Sequence, residues 1–143
     1  MASFVNTDAG QVLDRYSRWA VVGWSPDPSR DSHRIAALLE RLGKDVIRVN
    51  PNAPGDVAVE DLAAAGPVDV VDIFRRSDQA GAHVDEAIAL GAKAVWLQLG
   101  VVDVAAAERA RAAGLDVVMD DCPAMAVGRR RAADPSGRGT GRS

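Results

Sequence analysis

The strongest constraint on this chain is a junction that recurs along it. Helical patterns stop at Gly43, Gly91 and Gly114, each followed within one to three residues by a β-branched run, and Gly66-Pro67 makes a further junction of the same kind. Glycine ends helices because the left-handed backbone needed there costs it no Cβ clash. The runs at 46–50, 68–74, 93–97 and 115–119, with an apolar run at 19–23 ahead of them, read as strands. Strands alternating with helices of about a dozen residues close only through right-handed crossovers, with helices covering both faces of a parallel sheet. The pattern predicts an α/β domain, a Rossmann-like parallel sheet of about five strands.

The helices follow from spacing. Val12, Leu13 and Tyr16 suggest a short leading helix over 8–18 that packs against the sheet edge. Ile35, Leu38, Leu39 and Leu42 share one face of a helix that begins at Asp31, capped by Ser or Asp. Val59 to Ala65 reads as a short helix. Ser77-Asp78 caps a helix with Val84, Ala87 and Ile88 inward, and 103–113 is a helix of small residues.

A chain of 143 residues fits one domain. Aromatic residues are only 4 %, which predicts an aliphatic core. One cysteine, Cys122, excludes an internal disulfide framework and suits a reducing compartment. No run approaches the roughly 18 apolar residues that span a membrane, and the start lacks a signal-peptide pattern, so a cytoplasmic location is expected. Residues 128–143 hold five arginines against Asp134, which leaves this tail at +4 and the rest at −7. The expected organisation is a binding domain over 1–127 and a basic, disordered Gly/Arg-rich tail over 128–143. The acidic body argues against a nucleic-acid surface. Arg129-Arg130-Arg131 could touch RNA or lipid, but a solvated extension is the simpler reading.

In such sheets the ligand lies beyond the carboxyl ends of the strands, where the chain switches direction. The first strand stops at Gly23 and crosses a polar turn, containing Trp24, Ser25, Ser29, Arg30 and Ser32, into a helix. A glycine that admits a close backbone and a helix start that offers free N–H groups make an anion site. Asn50-Pro51 ends the second strand, Phe74-Arg75-Arg76 the third and Gln98-Leu99-Gly100 the fourth. The double arginine is either a phosphate clamp or a solvated loop charge, and its place at a strand end favours the clamp. A dinucleotide is disfavoured, because the turn lacks G-x-G-x-x-G and no acid ends the second strand. Arg48 stands there instead: it suits a ribose phosphate, as in NADP or coenzyme A, or is a strand-edge charge.

Five stretches together, Val21-Val22-Gly23-Trp24-Ser25-Pro26-Asp27-Pro28-Ser29-Arg30-Asp31-Ser32, Val49-Asn50-Pro51-Asn52, Val68-Asp69-Val70-Val71-Asp72-Ile73-Phe74-Arg75-Arg76, Val95-Trp96-Leu97-Gln98-Leu99-Gly100 and Val117-Val118-Met119-Asp120-Asp121-Cys122-Pro123, resemble the small stand-alone CoA-binding proteins. Their fold is similar to the CoA-binding domain of the succinyl-CoA synthetase alpha subunit. The resemblance implies a domain that holds the phosphoadenosine part of coenzyme A along the strand ends. The implied contacts are the first-turn serines and arginine, Asn50-Pro51, Phe74-Arg75 and Gln98. Coenzyme A or acyl-CoA is therefore the expected ligand.

Catalysis is not expected. The synthetases act through a phosphorylated histidine in a further domain, for which this chain has no length to spare, and only His33 and His83 are present. His83 reads as a structural side chain, and His33 lacks a named orienting partner for base chemistry. Cys122 could exchange with the thiol of coenzyme A, yet neighbouring acid weakens a cysteine as nucleophile, so the inert reading is preferred. Two histidines and one cysteine give no metal set. The expectation is a non-catalytic carrier, sensor or regulator. The alternatives are an NADP or other nucleotide-binding regulator, an acyl- or thiol-transfer enzyme using Cys122, and an interaction protein working through the basic tail.

Overall fold

A computed structural model describes residues 4–133. The elements run α1 (Ala9–Arg15), β1 (Arg18–Val22), α2 (Asp31–Arg41), β2 (Asp45–Val49), α3 (Leu62–Ala65), β3 (Val70–Ile73), α4 (Ser77–Ala89), β4 (Ala94–Gln98), α5 (Val104–Ala112), β5 (Asp116–Asp121) and α6 (Pro123–Ala133). All strand pairs are parallel, in the order β2-β1-β3-β4-β5. The predicted α/β Rossmann-like sheet of five strands is thus present, and its direction switches between β1 and β3.

The central strands β1, β3 and β4 are buried along nearly their whole length, whereas edge strand β2 is only partly covered. Both edges are blunted, as exposed N–H and C=O rows demand. Asn6 and Thr7 hydrogen-bond to Met119 and Val117 on β5. Val59 bridges to Val49 beyond β2. Val59 therefore extends the sheet rather than starting the short helix, which begins at Leu62 under an Asp61 cap.

The sheet separates two cores of different chemistry. On one face α3, α4 and α5 lay Leu62, Val84, Ala87 and the Ala106, Ala107, Ala110 stripe against Val71, Ile73, Val95 and Leu97, without a buried aromatic. On the other face α1, α2 and α6 bring Val12, Leu13, Ile35, Leu39 and Ala126 onto Trp19, Trp24 and Trp96. Each fully buried large aliphatic there contributes about 1.5–3 kcal/mol. Trp19 and Trp96 rings lie 5.7 Å apart at 48°, within the range of favourable aromatic pairs. Trp19 Nε1–H donates to the Tyr16 carbonyl and Trp96 Nε1–H to the Asp121 carbonyl. The expected aliphatic core is thus half the picture: few aromatics are present, but all three tryptophans are inside. Leading helix α1 lies on this face and packs against α6, and at its end Arg15 and Tyr16 reach Asp116 on edge strand β5 at 3.0 and 2.7 Å.

The predicted tail boundary also moves. Helix α6 runs through Val127 to Ala133, so residues 128–133 belong to the domain. Alanines and arginines favour helix, and Arg129 and Arg130 bind Asp121 and Asp14. The remainder of the expected tail, 134–143, lies outside the described residues.

Candidate functional site

The switch between β1 and β3 opens a groove of about 480 Å³. Gly23, Ser25, Arg30, Ser32, Asn50, Phe74 and Gln98, all expected from sequence, line it, together with Asp31, Leu99 and Val101. A smaller cavity of about 130 Å³ adjoins it across Gly23 and Asn50 and contains Pro51 and Arg75. Glu60, Asp61 and Glu86 share that cavity and escaped the sequence reading, because they come from the loop and helix on the opposite side of the strand ends; His83, expected to be structural, lines it beside them.

The start of α2 is bare. Its N-cap is Arg30, which makes no side-chain cap bond, so neither Asp31 nor Ser32 caps the helix as expected. Ser32 sits in the first turn and its Oγ instead accepts the Ser25 N–H at 3.0 Å. Among the described residues the N–H groups of Asp31, Ser32 and His33 have no acceptor, the first helix bond being Arg34 N–H to the Arg30 carbonyl. Three free donors at the positive end of an eleven-residue helix suit an anion. Gln98 supplies a second polar group: it is only 6 % exposed, lines the groove, and its Oε1 has no partner.

Gly23 lines both cavities and also serves the sheet. Its φ is +84°, and a Cβ there would stand 2.4 Å from the Phe74 carbonyl oxygen. The close approach is made by the end of β3, so the glycine lets β1 and β3 finish side by side beneath the groove. Asn50 ties the end of β2 to the end of β1: its Nδ2 donates to the Trp24 carbonyl at 2.6 Å, and its Oδ1 accepts the Asn52 N–H at 2.8 Å.

Four expected residues do not line either cavity. Trp24 is 5 % exposed, with its ring stacked 5.7 Å from that of His33. Ser29 turns to Asp27: its N–H and hydroxyl donate at 2.9 and 2.8 Å, and these bonds hold the Asp27 carboxyl below its usual range. Arg48 forms a forked pair with Glu40, at 2.8 and 3.1 Å, over the Trp24 ring. Arg76 points to Asp78 at 3.4 Å. The double arginine therefore splits, with Arg75 in the smaller cavity and Arg76 outside it.

The histidines are engaged as well. His33 Nδ1 bonds the Ser25 carbonyl at 3.0 Å and His83 Nδ1 bonds Glu86 at 2.8 Å. These bonds position the first-turn loop and the α4 surface. Below the site, Asp72 on β3 is fully buried with both carboxyl oxygens unpartnered. Burial raises its pKa well above the usual carboxylate value.

Among the described residues no helix is long and apolar enough to cross a membrane, and no cluster of three or more His, Cys, Asp or Glu is placed to hold a metal. The arrangement can bind an elongated anionic ligand at the strand ends. A family model for the CoA binding domain matches residues 17–128. An uncharacterised protein of Bacillus subtilis, YneT, is 37 % identical over 116 residues, 78 % of this chain and 86 % of the relative. Two solved structures share the fold. Prb, a protein redesigned for binding, has a TM-score of 0.80 at 34 % identity, covering 89 % of this chain and 92 % of its own. A hypothetical protein from Pyrococcus horikoshii has a TM-score of 0.79 at 30 % identity, covering 90 % and 98 %. By sequence and by fold, this chain belongs to the CoA-binding domain family.

Proposed function

We propose that this protein binds coenzyme A or an acyl-CoA through its phosphoadenosine part and carries out no turnover of it, serving as a carrier, sensor or regulator. The observation that carries the reading is the bare start of α2. Its three unpartnered N–H groups open onto a groove with Arg30, Ser25 and Gln98, whose Oε1 is orphaned. Phosphate groups suit that helix start, and Arg75, in the adjoining cavity, adds a forked donor for a second phosphate.

The absence of turnover is supported by the same residues. Among the described residues both histidines are oriented through Nδ1 and keep Nε2 free, but neither hydrogen-bonds to the hydroxyl of Ser25 or Ser32 in the groove, so no base is paired with a nucleophile there. An NADP reading leaned on Arg48, whose guanidinium is engaged by Glu40. Isothermal calorimetry with CoA, acetyl-CoA, NAD and NADP tests the proposal. Heat with the two CoA compounds is the expected outcome; binding of NADP alone would overturn it.

A further inference from the structure

The groove has a neighbour on the α2 and α6 side. A cavity of about 410 Å³ is lined by Ile35, Leu38, Leu99 and the α2 arginines Arg34 and Arg41, together with Cys122 and Gln98. Asp31, Gln98 and Leu99 wall both spaces. Beyond its phosphates coenzyme A carries an extended, mostly apolar arm with two amides and a terminal thiol. An arm anchored at the α2 start needs such a space, and Gln98, whose buried Oε1 has no partner, stands on the wall that the two spaces share.

The end of β5 is built to bring the cysteine there. Register runs Leu97 to Met119 and then Gln98 to Asp121, so Asp120 is an extra residue. It adopts φ +60°, and its Oδ1 accepts the Gly100 N–H at 2.7 Å. Bulges with such strained residues re-aim side chains at the ends of sheets. This one sets Cys122 immediately after the residue that pairs with Gln98. Cys122 is partly exposed, and its carbonyl accepts the first bond of α6, from Ala126, at 2.9 Å, so the sulfur stands at a helix start. The acid feared as a neighbour is occupied: Asp121 is gripped by Arg129 at 2.7 and 3.1 Å.

We propose that this cavity takes the thiol end of the ligand and that Cys122 captures coenzyme A as a mixed disulfide by exchange with a CoA disulfide. The proposal rests on the CoA-binding reading above. The Cys122 thiol gives its proton to solvent and its sulfur attacks one sulfur of the CoA disulfide. A Cys122–CoA bond forms as the old disulfide breaks, and the departing CoA thiolate takes up a proton. No net oxidation is needed, and the modification is stoichiometric and reversible.

Cys122 is the only cysteine in the chain, so the unaltered protein serves for the test. The reduced protein is incubated anaerobically with CoA disulfide or, separately, with glutathione disulfide at the same concentration, and intact mass is followed in time. The expected result is one CoA adduct, removed by dithiothreitol, formed at least about tenfold faster than the glutathione adduct and slowed by a CoA analogue lacking the thiol. Equal rates with the two disulfides, or no adduct, overturn the proposal. Calorimetry of the same protein with reduced CoA separates the two readings. Binding without an adduct removes only the exchange, whereas no binding removes both.

Discussion

Replacing Asp72 by asparagine isolates the cost of a buried acid in the central sheet. Asp72 has Val21 and Trp96 as cross-strand partners and lies on the tryptophan side, opposite its neighbours Val71 and Ile73. With no partner for either oxygen, burial raises the pKa of this carboxyl and favours its neutral form in the folded protein. The unfolded chain ionises it near pKa 3.9. Between about 3.9 and the raised folded value, the native state binds one proton more than the unfolded state. The group's stabilising share is therefore complete below about pH 3.9 and declines as pH rises toward the folded value. The decline approaches about 1.4 kcal/mol per pH unit. Asparagine preserves the shape and cannot ionise. Its unpartnered amide adds a penalty of about 1–3 kcal/mol that does not vary with pH. Urea unfolding followed by far-UV circular dichroism at about pH 4, 5, 6 and 7 should show the variant gaining on the wild type as pH rises above about 3.9. A difference that stays flat from about pH 4 to pH 7 would mean that folding does not raise the pKa of Asp72, and the reasoning would fail.

Gly23→Ala should destabilise the domain by about 2–5 kcal/mol, the sum of a left-handed non-glycine residue and a forced separation of packed strands, since its Cβ would meet the Phe74 carbonyl at 2.4 Å. An unchanged urea midpoint would refute this account of the glycine. Arg75→Ala and Arg48→Ala form a contrasting pair. The first should weaken CoA binding by about 1.5–3 kcal/mol, the worth of a hydrogen bond to a charged group, while the second leaves affinity unaltered because Arg48 is held by Glu40. Calorimetric affinities that fall for Arg48→Ala and not for Arg75→Ala would reverse the two assignments.

The alternation of glycine-ended helices and β-branched runs made the sheet legible, because local propensity and burial agree at every junction. Strand ends were legible for the same reason, and with them the groove residues from Gly23 to Gln98. What escaped depends on contacts between separate elements. Arg48 and Glu40 meet only when β2 folds back beside α2. Ser32 reads as a cap, yet it accepts from Ser25 because the turn between them curls over the helix start. Helix 123–133 was hidden by arginines whose acidic partners lie at Asp14 and Asp121. Asp72 was readable in principle: an acid between apolar residues in a strand covered on both faces has nowhere to reach water.

The placement of all three tryptophans on one side of the sheet makes the protein a one-sided optical reporter. Its ultraviolet emission originates in the layer under α1, α2 and α6, and the short separation of Trp19 and Trp96 lets excitation pass between them. Loosening of α4 and α5 would leave that emission nearly unchanged while altering the circular dichroism, so the two signals together resolve which layer yields first. Trp24, stacked on His33 at the start of α2, is the fluorophore closest in sequence to the groove-lining turn and the one through which occupancy of the groove would be seen.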